Sequence, residues 1–147
     1  MDKNEFLIAL SESERTQLGR VAFADQDEHQ KVFSAIWALE SQVNNGGFSQ
    51  YFVSSDGDTA EFAPRALRAI GARACADIVE RALRTMSASP LPASQSAREE
   101  LVDSAPEDVQ DRLEELDEAF LAYPDDLTAL LFAYVANHPD VFGPVPA

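Results

Sequence analysis

Apolar residues recur three and four positions apart along nearly the whole chain, and no stretch alternates apolar with polar residues between turns. This pattern predicts an all-α protein. The first strong helix is expected from about Asp25 or Asp27 to Val43. Val32, Ile36, Leu39 and Val43 form its stripe, Phe33 and Trp37 widen it, and Asp25, Asp27 and Glu28 lie at its positive N-terminal end. Asn44-Asn45-Gly46-Gly47 should end it, because Asn and Gly accept the left-handed backbone of a helix C-cap. A short aromatic segment, Phe48 to Val53, leads into the turn Ser54-Ser55-Asp56-Gly57-Asp58. A helix from about Thr59 to Ile70 then turns Phe62, Ala63, Ala66, Leu67 and Ile70 inward. Gly71 breaks it or tightens its packing before a helix carrying Ile78, Val79, Leu83 and Met86. Pro90 and Pro92 make Ser87 to Ser96 a loop, read as a long connection because the pieces on either side are too short to stand alone. A short helix near Ala97 to Asp103 follows, then one with Pro106 at its first helical position running to about Tyr123, then a last one with Leu127, Leu130, Leu131, Tyr134 and Val135. Pro139, Pro144 and Pro146 predict an irregular tail. Trp37, Leu39, Phe52, Leu67, Ile70, Leu113, Leu116 and Phe120 are the expected buried residues.

A chain of 147 residues, 46% of them hydrophobic, has room for one domain with a proper core. Its 26 Asp plus Glu against 11 Lys plus Arg give a net charge of -15. That charge repels phosphate and anionic headgroups, which argues against direct binding to nucleic acid or an acidic membrane and for basic or neutral partners. No apolar run approaches the ~20 residues that span a bilayer. The start, Met1-Asp2-Lys3-Asn4-Glu5, lacks a basic leader region, and the apolar run Phe6 to Leu10 is followed by charge, so a cytoplasmic address is expected. Cys75 is the single cysteine and permits no internal disulfide.

The placement of charge says more than its total. Residues 62–98 are net positive, with 6 bases and 2 acids, whereas residues 99–126 carry 12 acids and only Arg112. Stepping about 100° per residue from Val109, Leu113, Leu116 and Phe120 fall within about 40° of it, and Glu107, Asp111, Glu114 and Glu118 fall between about 140° and 200°. Neighbouring carboxylates so spaced sit on Cβ atoms about 5–6 Å apart and weaken a helix by a few tenths of a kcal/mol per pair. A solvated face needs no such row, since alternating Glu and Lys would dissolve the helix equally well and stabilise it. Solubility is the bland account of the row. The sharper one is a phosphate-like array offered to a basic protein, with Asp103, Glu107, Asp108, Asp111, Glu114, Glu115, Glu118, Asp125 and Asp126 as the candidate partner-binding residues.

A second feature is the run Trp37-Ala38-Leu39-Glu40-Ser41-Gln42-Val43-Asn44-Asn45-Gly46-Gly47-Phe48-Ser49-Gln50-Tyr51-Phe52, followed by Ala66-Leu67-Arg68-Ala69-Ile70-Gly71-Ala72. On a structural reading Gly46 and Gly47 make a turn between helices, Phe48, Tyr51 and Phe52 enter the core, and Asn44, Asn45 and Gln50 bond backbone groups at helix ends. On a functional reading Glu40, Asn45 and Gln50 line a small polar pocket. Over about residues 33–72 the run resembles a bacterial domain family that contains a DNA-mimic protein, with Glu40, the Asn45 to Phe52 segment and Gly71-Ala72 as matching elements. The resemblance implies an all-α domain, a homodimer and, in the DNA-mimic member, an acidic surface occupying the DNA-binding site of a regulatory protein. The acidic row lies outside the matching motif.

Catalysis finds little support. His29 and His138 are far apart in sequence and belong to no paired zinc-ligand pattern, so surface or capping roles are expected. Cys75, between Ala74 and Ala76, reads as a small buried apolar residue, with Arg73 available to lower its pKa. Asp56-Gly57-Asp58 lacks calcium-loop spacing, and no phosphate loop or nucleophile elbow is present. The expectation is a non-enzymatic acidic protein without metal or cofactor, a DNA mimic that occupies the DNA-binding surface of a basic regulatory protein, its partner being a basic DNA-binding or other basic protein. The alternatives are an acidic inhibitor or immunity-type partner of a basic enzyme, and a small-molecule-binding or hydrolytic domain built on Glu40, Asn44, Asn45, Gly46, Gly47 and Gln50.

Overall fold

A computed structural model describes residues 2–13, 16–18, 20–86 and 90–145. Eight α-helices and no strands occur among them: α1 Lys3–Ser11, α2 Glu28–Val53, α3 Ala63–Ala69, α4 Arg73–Met86, α5 Gln95–Asp103, α6 Glu107–Leu121, α7 Leu127–Ala136 and α8 Pro139–Phe142. Short 3-10 turns at Phe23–Asp25 and Ser55–Thr59 flank α2. Of the predicted loop, residues 87–89 lie outside the described residues, as do 146 and 147 of the tail.

Helix α2 is the axis of the fold. It packs against α3, α5, α6 and α8, while α4 bridges α3 and α6. Its stripe of Val32, Phe33, Ile36, Leu39 and Val43 is buried, in one hydrophobic core with Leu67, Val79, Leu113, Phe120, Leu131 and Val135. Asp27 caps its N-terminus by accepting from the Gln30 N–H at 3.0 Å. Such a cap contributes about 1 kcal/mol by satisfying an amide that has no intrahelical partner.

The pattern places most elements and misplaces several ends. The regular helix ends at the Asn-Gly run as expected, with Gly46 (φ -163°, ψ 21°) and Gly47 (φ 77°, ψ -173°) non-helical; what the pattern does not give is that the aromatic segment beyond the bend, Phe48 to Val53, is helical too and continues α2. Pro106 is the cap before α6 and not its first residue, and α6 ends at Leu121. The tail contains a helical turn, Pro139–Phe142, because Pro at the first position of a helix forfeits no hydrogen bond. Trp37 is only half-buried, with one face stacked on Phe33 at 5.4 Å; the other seven residues expected in the core are buried. Helix α1 carries a signal that a hydrophobic-period reading passes over, the reciprocal capping box between Asp2 and Glu5.

The loop before α5 is tied down by Arg98, whose side chain is 1% exposed. Its Nε donates to Phe52 O at 2.8 Å, Nη1 to Pro92 O at 3.1 Å and Ala93 O at 3.0 Å, and Nη2 to Ser54 O at 3.2 Å. Asp58 completes the site as an ion pair at 3.0 Å. The planar guanidinium bonds two carbonyls at the C-terminal end of α2, Phe52 O and Ser54 O, the latter shared with the Gly57 N–H at 3.0 Å, and fastens the 90–94 segment to them.

Candidate functional site

The acidic row is carried by α6, and the motif turns out to be its mount. The Phe48 N–H, the first amide past the bend in α2, donates to Asp117 Oδ1 at 2.7 Å. A carboxylate therefore sits at the positive end of the resumed helical segment, where the helix dipole favours it. Gly47 makes the approach feasible twice over: its positive φ is a conformation side chains rarely adopt, and a Cβ there would overlap the Asp117 carboxylate. Gly46 has an extended φ and is crowded differently, its Cβ position lying 2.7 Å from Gln50 Cβ. The family-like glycines thus allow a helix far along the chain to dock by a charged side chain.

A second tie holds the end of α6. Tyr123 has φ 50°, the single non-glycine residue with positive φ among the described residues. Its hydroxyl donates to Glu40 Oε2 at 3.0 Å and accepts from Asn44 Nδ2 at 2.8 Å, while the same amide donates to Glu40 O at 2.7 Å. Burial raises the Glu40 carboxyl above its ordinary pKa of 4.5; the Tyr123 hydrogen bond opposes the rise and the charge of Asp126 adds to it. Asp117 is raised for the same first reason, burial, with Glu114 and Glu118 adding repulsion and the Phe48 amide opposing.

The remaining acids divide by duty. Asp125 Oδ2 accepts from the Cys75 N–H at 2.9 Å in the first turn of α4, and Asp126 caps α7 through the Ala129 N–H at 3.1 Å. Both candidates therefore hold helix ends. By contrast Asp103, Glu107, Asp108, Asp111, Glu114, Glu115 and Glu118 are exposed, and their carboxylates have no hydrogen bond or ion pair among the described residues.

The pocket residues are only partly assembled. Glu40 and Asn44 meet at Tyr123, Gln50 donates to Gln42 Oε1 at 3.3 Å, and Asn45 is exposed. Asn44 bonds a backbone carbonyl as expected, whereas Gln50 bonds a side chain that in turn donates to Asp56 at 2.9 Å. Gly71, at φ 86°, closes α3, with Ala72 N–H donating to Leu67 O at 2.8 Å and Gly71 N–H to Arg68 O at 3.0 Å; this is the Schellman pattern.

Two chemical expectations change. Burial pushes the Cys75 thiol up to about 12, so Arg73 does not activate it. His29 and His138 are neighbours in space, with ring centroids 4.2 Å apart beside Tyr134. His29 Nδ1 bonds the Tyr134 hydroxyl, and His138 Nδ1 the Tyr134 carbonyl, each at 2.7 Å. No group of three or more metal-ligating side chains is clustered among the described residues, and no helix there is long and apolar enough to cross a membrane.

Sequence reasoning missed Asp117 and Tyr123. Asp117 had a signal: stepping from Val109 it falls at about 80°, nearer the apolar stripe than any other acid of the helix. Tyr123 had none, because a left-handed tyrosine is dictated by partners distant in sequence.

These features define an all-helical acidic protein whose bent central helix mounts a carboxylate-bearing helix. Residues 24–138 match the DMP19-like protein family, and the chain belongs to that family. No curated protein and no solved structure matches it.

Proposed function

We propose that this protein binds a basic DNA-binding protein through the exposed face of α5 and α6, occupying the surface that otherwise contacts DNA phosphates. The observation that carries the reading is the set of carboxylates at Asp103 of α5 and Glu107, Asp108, Asp111, Glu114, Glu115 and Glu118 of α6, exposed and without hydrogen-bond or ion-pair partners among the described residues, α6 being tied to α2 on its other side through Asp117. Lys and Arg that bond phosphate oxygens bond carboxylate oxygens with the same charge-assisted geometry. A second copy of the chain would extend the array beyond one helix. The family match adds support, since the sequence resemblance ties this family to a DNA mimic. Asp125 and Asp126 contribute field at the end of the array rather than free ligands, since both cap helices.

The test is affinity capture from a native extract at low and high salt, followed by competition with the captured partner's own DNA. Exposed charge pairs are screened over about 8 Å at physiological ionic strength, so binding should weaken as salt rises. The combined variant Glu107→Gln, Asp111→Gln, Glu114→Gln and Glu118→Gln should lose the partner while keeping its fold. A partner that holds DNA and this protein together with undiminished affinity for each would end the mimic reading and leave a general acidic inhibitor.

A further inference from the structure

Helix α4 contains two acid-before-base pairs at four-residue spacing, Asp77 with Arg81 and Glu80 with Arg84, the arrangement that favours intrahelical ion pairs. Neither pair forms. Arg68 of α3 takes both carboxylates, with Nη2 3.2 Å from Asp77 Oδ1 and 2.7 Å from Glu80 Oε1. Arg81 and Arg84 are left without an ion pair among the described residues. So is Arg112 of α6, although Asp108 stands four residues before it. In a chain with 26 acids and 11 bases, unpaired arginines are against the odds of composition. These three converge: with Thr85, Glu115 and the buried Leu116 they line one cleft of about 350 Å³.

We propose that this cleft binds a single phosphate group, free or carried as a monoester by a small molecule, through the guanidiniums of Arg81, Arg84 and Arg112. The lining has three positive side chains and one negative, a net charge of +2, and a phosphate monoester carries about -1.5 to -2 at neutral pH. Guanidinium presents paired N–H groups matched to two phosphate oxygens. Thr85 is not a donor to the ligand, because its hydroxyl proton is committed to Arg81 O at 2.7 Å. The protein's total charge of -15 selects against a polyanion, whose distant phosphates would meet carboxylates, whereas one phosphate feels chiefly what lies within a Debye length of about 8 Å. Glu115 narrows the choice further, since it disfavours a second negative group at the cleft edge.

The test is an NMR titration of the whole chain with inorganic phosphate and, separately, glycerol phosphate, against sodium chloride at matched ionic strength. Saturable shifts of the Arg81, Arg84 and Arg112 side-chain N–H signals are expected, with Kd on the order of millimolar for an exposed three-arginine site. Tighter binding of one probe tells the free anion from the monoester. Arg81→Gln with Arg84→Gln should weaken binding at least about tenfold, the loss of two charge-assisted contacts. Glu115→Gln should tighten it. Arg68→Gln, outside the cleft, should weaken it several-fold by releasing Asp77 and Glu80 to pair with Arg81 and Arg84. Non-saturating shifts reproduced by chloride would overturn the proposal, as would unchanged affinity in the Arg81, Arg84 double variant. A short single-stranded oligonucleotide that bound more tightly than either probe would overturn the small-ligand assignment.

Discussion

Helix α6 presents carboxylates on two sides, and the molecule treats them oppositely. On the inner side Asp117 is half-buried and bonded to the Phe48 amide. On the outer side Glu107, Asp111, Glu114 and Glu118 are exposed and bonded to nothing in the chain. The inner carboxylate is explained by the fold: it caps the resumed segment of α2 and explains why Gly47 has no side chain. The outer row has no such account, and its spacing costs the helix a few tenths of a kcal/mol per pair. Charge that the fold uses is fully partnered, so unpartnered charge is where an external partner is to be sought.

Arg98 is the extreme of the inner kind and the largest effect to test. Arg98→Met keeps the aliphatic bulk but removes the guanidinium donors to Phe52, Ser54, Pro92 and Ala93, of which Ser54 O keeps the Gly57 N–H. A buried acceptor left unsatisfied costs about 1–3 kcal/mol, so losing several guanidinium contacts at once should cost about 3–5 kcal/mol, while the exposed Asp58 carboxylate is hydrated and adds little. Urea unfolding should show that loss, and a loss under about 1 kcal/mol would mean water replaces the guanidinium readily.

The mount of α6 comes next. Gly47→Val combines left-handed strain with overlap on Asp117, and a loss of about 2–3 kcal/mol is expected. Gly71→Ala is the sharpening control: its φ of 86° is strained for alanine, but no atom lies within 4 Å of the added Cβ, so about 1 kcal/mol should suffice. Equal losses at the two glycines would show that backbone conformation alone, and not the approach of Asp117, sets the requirement at Gly47.

This contrast also marks how far the sequence is legible. The stripes of α2, α4 and α6 follow from the 3.6-residue period, and the break at Gly46 and Gly47 from their chemistry, because those are local properties. The resumption of α2 is not local. It depends on a carboxylate at Asp117, nearly half the chain away, filling the space that Gly47 leaves open. Tyr123 and Arg98 are likewise defined by contacts with Glu40 and Phe52, and their residue types alone announce neither. The acidic row was visible because it is a surface pattern on one helix. Its link to the motif was hidden because the link runs through the helix's other side.

Neutralising the outer row has a smaller effect, opposite in sign. Changing Asp111, Glu114 and Glu118 to Gln, with Glu107 kept because the N-terminal end of α6 favours its charge, removes repulsion between three successive pairs, which at a few tenths of a kcal/mol each should raise stability by about 0.5–1 kcal/mol. Thermal unfolding reads this as a gain of about 2–4 °C per kcal/mol for a chain of this size. A loss of stability instead would mean that the row has partners within the protein, and the difference between the two sides of α6 would disappear.

The smallest effect concerns pH and separates the inner carboxylates from the general charge of the surface. Glu40 and Asp117 both have folded-state pKa values raised above their ordinary 4.5 and 3.8, chiefly by burial. The folded protein therefore holds these protons more tightly than the unfolded chain does. Between the unfolded and the folded pKa the native state binds more protons, so stability falls as pH rises through that window and is recovered on acidification. The protein should accordingly become more stable as pH drops from neutral toward the ordinary carboxylate range, with the gain complete once the unfolded pKa values are passed. Glu40→Gln keeps an oxygen to accept from Tyr123 but cannot titrate, so it should melt within about 2 °C of the parent at neutral pH and show a shallower rise on acidification. Adding Asp117→Asn should flatten it further, while the outer-row variant, whose carboxylates are not buried, should keep the parent's rise from Glu40. If Glu40→Gln retained the full rise and the outer-row variant lost it, the pH response would belong to surface repulsion, and Glu40 would be a solvated group beside Tyr123 rather than part of the mount.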